Sequence, residues 1–275
     1  MSIRRTFRFR LGRRVLCFLV VGLSVGRAEA HDFWISPEPI APQAGQAVLL
    51  RLYAGEWFEG DEVPYEAAHA LRFQHWVGDK VETLAGREGY SPAAFLRGVA
   101  PGVHLVSYTS AGTDIQVDPE KFNRYLEDSG LGAVLAYRRQ QGQANSPARE
   151  RFFRYAKALI ITPGAKTDLG TSGRVLGQRL EIVPEFDPVA VAGKRGPVRV
   201  RVLYDGKPLA GATVFAMPRS DPQAGRLEEI TDASGKAAFA LDQPGVWMVK
   251  VIWMVPGTQG AEWKSSWGSL VFLAG

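Results

Sequence analysis

The chain has 275 residues and a formal net charge of +5. That excess sits in one segment: residues 1–30 hold seven arginines and one glutamate, which leaves the remainder at −1. The basic balance therefore belongs to that segment, and the remainder gives no charge signal for nucleic acid, which is not expected as a partner.

In chain order, the first signal is a leader. Arg4, Arg5, Arg8, Arg10, Arg13 and Arg14 precede an apolar run from Val15 to Val25, and Ala28-Glu29-Ala30 follows as a small-x-small cleavage site. Basic, then apolar, then small is the pattern of a secretory signal peptide. The run is too short to cross a bilayer, which takes about 20 residues. The mature protein is therefore expected to begin at His31, in the periplasm, without a membrane span. Cys17, the sole cysteine, leaves with the leader, so neither disulfides nor thiolate metal sites are expected.

Residues 47–53, 71–77 and 102–108 read as strands between Gly and Pro turns. Asp118-Pro119 opens a helix, along which Phe122, Tyr125 and Leu126, then Leu131, Val134 and Leu135, recur at helical spacing, with Gly130 as a break. Ser146-Pro147 predicts a second short helix carrying Arg151, Arg154 and Lys157 on a basic face and running into a strand at 158–162. The Gly-rich stretch 163–173 is the expected boundary. Beyond it, residues 197–204, 212–217, 236–241, 246–253 and 266–272 are short strands separated by Asp, Pro and Gly turns. The expected fold is mainly β: residues 1–30 a signal peptide, 31–168 an immunoglobulin-like β-sandwich with a short helical insert, and 169–275 a second such sandwich.

All four histidines, His31, His69, His75 and His104, fall in the first of these domains. Imidazole is the commonest metal ligand. A terminal His31 would offer its ring and a free α-amine, whose pKa of about 7.7–8.0 lets a metal displace the proton near neutrality. Nitrogen donors without thiolate suit copper, nickel, cobalt or zinc. Asp32-Phe33-Trp34-Ile35 after His31 puts two large aromatics near the terminus and predicts that it is packed down. His104, at a strand start beside Pro101-Gly102, is the preferred second ligand, with His69 and His75 as alternatives. Glu56, Glu59, Asp61 and Glu62 surround Trp57-Phe58 and read as a solvated loop or a source of carboxylate donors. No nucleophile elbow, zincin helix or phosphate loop occurs, so a non-catalytic protein is expected. The rival reading is a binding module that presents Trp34, Trp57 and Trp76 to a glycan or a protein.

Several segments together resemble the DUF4198 family: His31-Asp-Phe-Trp-Ile-Ser-Pro37 after a signal peptide, Gly55-Glu-Trp-Phe-Glu-Gly60, Lys121-Phe-Asn-Arg-Tyr-Leu126, Glu150 to Lys157, and Ser266 to Phe272. The resemblance implies a periplasmic protein associated with nickel or cobalt uptake, in which a bound transition metal passes to a membrane metal transporter. Gly206 to Ala212 and Thr231 to Gly235 also resemble immunoglobulin-like modules of the carboxypeptidase regulatory type, which are usually non-catalytic. Mass analysis of the exported protein is expected to give His31 as its first residue; a leader retained or cut elsewhere would remove the terminal amine on which the metal reading depends.

Overall fold

The computed structural model describes residues 31–275 apart from positions 193, 195 and 259, so the expected leader at 1–30 lies outside the described residues. The chain runs through β1 (Asp32–Glu38), β2 (Val48–Glu56), β3 (Glu59–Val63), β4 (Ala70–Val77), β5 (Lys80–Thr83), β6 (Ala94–Leu96), β7 (Val103–Ser110) and β8 (Thr113–Val117). Helices α1 (Pro119–Asp128) and α2 (Gly132–Gln140) follow, then the long β9 (Ala148–Ile161), the single turn α3 (Leu169–Ser172), β10 (Leu180–Pro184) and α4 (Pro188–Val191). The chain closes with β11 (Gly196–Tyr204), β12 (Lys207–Pro208), β13 (Thr213–Pro218), β14 (Leu227–Ile230), β15 (Lys236–Leu241), β16 (Gly245–Pro256) and β17 (Trp263–Ala274).

These strands form three sheets in a mainly β, sandwich-type fold. The central sheet has nine strands in the order β14-β13-β16-β17-β9-β7-β4-β5, with β8 also paired to β9. All its ladders are antiparallel except β9 with β17, which is parallel and runs from Trp263 opposite Glu150 to Val271 opposite Ala158. That one ladder makes the sheet continuous across the Gly-rich stretch, so the two sequence halves share it. Strand alternation then serves two cores. Ala156, Ala158 and Ile160 of β9 and Met248 of β16 face β1, β2 and β6. Tyr155 and Leu159 of β9, with Trp247, Val249 and Val251 of β16, face β10, β11 and β15. The result is two β-sandwiches with a common middle layer.

Helices α1 and α2 cover the rest of the first face, burying Phe122, Leu126 and Leu135 on Phe152, Ile252, Met254 and Trp267. Gly130 separates them at φ +71°, and a Cβ there would meet the Thr213 side chain at 2.4 Å. The helix expected after Ser146-Pro147 is instead β9, and the basic face does not exist. Alternation splits it: Arg151 hydrogen-bonds Asp114 of β8 at 2.7 Å, Arg154 lies over the Phe33 and Phe152 rings, and Lys157 points into the second core. Tertiary burial of a chain rich in aromatic and β-branched residues overrides the local capping pattern here.

Lys157 and Glu181, each 1% exposed, form an ion pair at 2.6 Å across the second core. Glu181 also accepts from the main-chain N–H groups of Leu176 and Gln178, so the carboxylate is fully engaged. Removing one member strands a buried charge. Lys157→Met is expected to cost roughly 3–5 kcal/mol in urea unfolding, and Lys157→Met with Glu181→Gln, which removes the stranded charge and keeps an acceptor for the main-chain N–H groups, to recover part of that loss.

Candidate functional site

A cleft of about 510 Å³ opens on the first face of the central sheet between the β1–β3 sheet and α1. His31, Asp32, Glu56 and Trp57 form one wall, Lys121, Arg124 and Tyr125 the other, and Lys250 and Trp267 the floor. β1 is packed down as its aromatics predict: Phe33, Trp34 and Ile35 are buried, and Trp34 stacks on Tyr53. The β1–β2 register pairs Asp32 with Gly55, which brings His31 opposite Glu56. His31 Nδ1 is buried and lies 3.8 Å from Glu56 Oε1.

Asp32 is the anchor of this wall. Both carboxylate oxygens, 4% exposed, accept from Lys250 Nζ at 2.9 and 2.7 Å, and one also accepts from the Trp57 main-chain N–H at 2.9 Å. The Lys250 ammonium sits 3.7 Å from the Trp57 ring centroid, a cation–π contact. Trp57 and Phe58 form the tip of the β2–β3 hairpin with φ values of +54° and +67°. Positions of this kind normally take Asn-Gly, and bulky residues there carry strain on the order of 1–3 kcal/mol each. Packing offsets it: Trp57 meets Phe215 edge-on, and Phe58 is buried against Trp34. The expected acidic loop is thus a strained aromatic hairpin aimed at the cleft.

The other histidines lie elsewhere. His75 Nε2 is 2.9 Å from His104 Nδ1, and His104 Nε2 is 2.9 Å from the Ala100 carbonyl. The carbonyl only accepts, so His104 carries its proton on Nε2; its Nδ1 then accepts from His75, whose Nδ1 is left toward Glu82. Burial pushes His75 down to about 4, helped by its neighbour His104, and burial also lowers His104. Both rings are neutral near pH 7. His104 pairs with Ile160 of β9 whereas the cleft residue Trp267 pairs with Arg154; six residues of strand is about 20 Å. His69, outside β4, is exposed and bonds Glu66 at 2.6 Å. The structure therefore brings His75 and His104 together and leaves His31 and His69 apart from them. No three His, Cys, Asp or Glu side chains converge as a metal-holding group among the described residues. Of the three tryptophans considered for display, Trp57 lines the cleft, Trp34 is core, and Trp76 lies beneath the Arg174 guanidinium.

One group beside the cleft carries no sequence signature. Glu150, 1% exposed, accepts from Ser265 Oγ and, at 3.4 Å, from the Tyr125 hydroxyl. Tyr125 stacks on Trp267 at 5.1 Å. Burial pushes the Glu150 carboxyl up to about 7, against the pull of these donors. Only the packing of α1 onto β9 and β17 makes this carboxyl unusual.

The family model described as "Domain of unknown function (DUF4198)" matches residues 28–255. No curated protein matches the chain. Among solved structures, the D0-D1 domain of Intimin is similar at 16% identity over 88% of this chain and 98% of that one, with a TM-score of 0.22. A tetra-tandem repeat from the extending region of a large adhesion protein (10%, 88% and 49%, TM-score 0.22) and fibronectin(III)-like modules of Clostridium thermocellum CbhA (10%, 87% and 94%, TM-score 0.18) also match.

Since Glu150 binds its proton more tightly folded than at its ordinary 4.5, its contribution is full below pH 4.5 and is lost as pH rises through 7. Glu150→Gln keeps the shape without the titration. It is expected to exceed the wild type in stability at pH 8 by up to about 3 kcal/mol and to show no such gain at pH 4.5, by urea unfolding.

Proposed function

The chain belongs to the DUF4198 family, and from that premise we propose that it is a periplasmic metal-binding protein whose site is the cleft at His31. The carrying observation is that His31, directly before the firmly held β1, faces the Glu56 carboxylate at 3.8 Å in the cleft of about 510 Å³. Nδ1 is the ring nitrogen nearer the main chain, the one that closes a chelate ring with a free amine on the same residue. After cleavage behind Ala30, the residues present fit a divalent ion: amine and Nδ1 from His31, with Glu56 as a third donor. Asp32 is not a donor in this reading, because Lys250 and the Trp57 N–H occupy its oxygens. His104 is not the partner either, since its Nδ1 is engaged by His75. Two nitrogens and one carboxylate suit nickel or cobalt, with copper and zinc as competitors.

The role is accessory: the protein holds nickel or cobalt for a membrane transporter and performs no chemistry on it. Asp32 and Lys250 would act by fixing the donors. The hydrogen bond from Trp57 N–H to Asp32 holds the hairpin tip, and with it Glu56, against β1.

Calorimetric titration with nickel of protein beginning at His31 is expected to show one site. One extra residue before His31 should weaken it roughly 100-fold, and Glu56→Gln about tenfold, the range of losses seen when metal-site groups are removed. His75→Ala should leave it unchanged. Equal binding by the extended protein would overturn the chelate.

A further inference from the structure

Arg154 is a largely buried cation without a counter-charge. It stands on the first face of β9 with Phe152 and Ala156, its neighbours at every second residue. Trp267 of the cleft floor lies opposite it on β17. On the β7 side, the Ser110 hydroxyl accepts from the Arg154 main-chain N–H at 2.8 Å. The guanidinium carbon is 5.2 Å from the Phe33 ring centroid and 4.9 Å from that of Phe152. Among the described residues no carboxylate or carbonyl accepts from this guanidinium, and its Nε is buried with no acceptor at all.

The buried cations Arg138, Lys157 and Lys250 are each served. Glu181 pairs with Lys157, Asp32 with Lys250, and the Gln143 and Ser146 carbonyls accept from Arg138. A charge taken out of water needs such a partner. Phenyl faces attract a guanidinium but accept no hydrogen bonds in its plane. Burial accordingly pushes Arg154 down to about 10, against the pull of Tyr108 and Asp32. Asp32 cannot serve it, because Lys250 and the Trp57 N–H already occupy both of its oxygens. Tyr108, whose phenol is pushed up to about 12 by burial, stays protonated and is a donor near the guanidinium, not a counter-ion. Arg154 is nevertheless part-exposed, so a small solute can reach it.

Three features select that solute. The planar fork presents parallel N–H donors that match the two oxygens of a carboxylate. One guanidinium neutralises one charge, so a dianion would bring a second, uncompensated charge beside two phenyl rings. Those rings suit a short apolar tail. We infer that Arg154 is the binding site of a small aliphatic monocarboxylate, held by the guanidinium fork with the Tyr108 hydroxyl as a further donor. The inference needs neither a metal nor a terminal amine at His31.

NMR titration of metal-free protein beginning at His31 with carbon-13-labelled acetate, in chloride-free buffer, tests it. Acetate is expected to saturate one site and to raise the urea-unfolding midpoint as its concentration rises. Arg154→Met should weaken binding by at least about tenfold and abolish that rise. Arg154→Lys, which keeps the charge without the fork, should weaken it roughly severalfold. His31→Ala should bind acetate as the wild type does, which separates this site from the metal reading. Circular dichroism confirms that the variants fold. Loss of an unpaired charge should leave Arg154→Met at least as stable as the wild type without acetate. No saturable binding by the wild type, or equal binding by either Arg154 variant, overturns the inference. Displacement of acetate by chloride or sulfate at equal concentration also overturns it, since the site would then not select a carboxylate.

Discussion

The buried pair of Asp32 with Lys250 ties together parts of the molecule that no local interaction could join. Asp32 is the first residue of β1, and Lys250 is in the middle of β16, 218 positions away. Two oxygens receive three hydrogen bonds, two from the ammonium and one from the Trp57 main chain. Ser269 of β17 adds a hydrogen bond to the Phe33 carbonyl at 2.7 Å. A buried ion pair gains little over an apolar contact of the same shape, but losing one member is costly. Its consequence here is positional: the start of β1 is fixed onto the central sheet and the strained Trp57-Phe58 tip onto the start of β1.

The shared sheet gives that pair its reach. The antiparallel ladders join strands that follow one another closely or return within their own half, whereas the parallel ladder of β9 with β17 joins the two halves. One of its faces carries both the β1–β3 layer and the helices, and the cleft is the gap they leave. Groups brought to this gap come from β1, the β2–β3 hairpin, β8, α1, β16 and β17. Sites assembled at such junctions can be rebuilt by changing the loops and the insert without disturbing the sheet. The helical insert supplies much of one wall, including the cations Lys121 and Arg124.

Two of the buried titratable groups, the His75–His104 pair and Glu150, respond oppositely to pH. His75 and His104 resist protonation, so their contribution is full above the ordinary histidine range near 6.5 and falls as pH drops toward 4. Glu150 resists ionisation, and its contribution falls as pH rises through 7. The first lies at the far end of the sheet from His31, and the second supports the aromatic surface of the cleft through Tyr125 and Ser265. Acid and base therefore act on different parts of the fold.

The sequence by itself determined the features that are periodic or local. Strands β11, β13, β15, β16 and β17 of the second half, β2, β4 and β7, the helix break at Gly130 and the burial of the aromatics after His31 all follow from alternation, turn residues and side-chain size, which act over a few residues; β10, β12 and β14 carried no such signal. The family was legible from motifs spread along the whole chain. Tertiary structure alone decided the rest. Arg151, Arg154 and Lys157 became three separate contacts because β9 lies between two cores. His104 was drawn to His75 by the β4–β7 ladder, and His31 to Glu56 by the β1–β2 register. Glu150 became an unusual acid only when α1 closed over it. Each depends on strand register and layer contact between residues distant in the chain, and neither spacing nor composition encodes those.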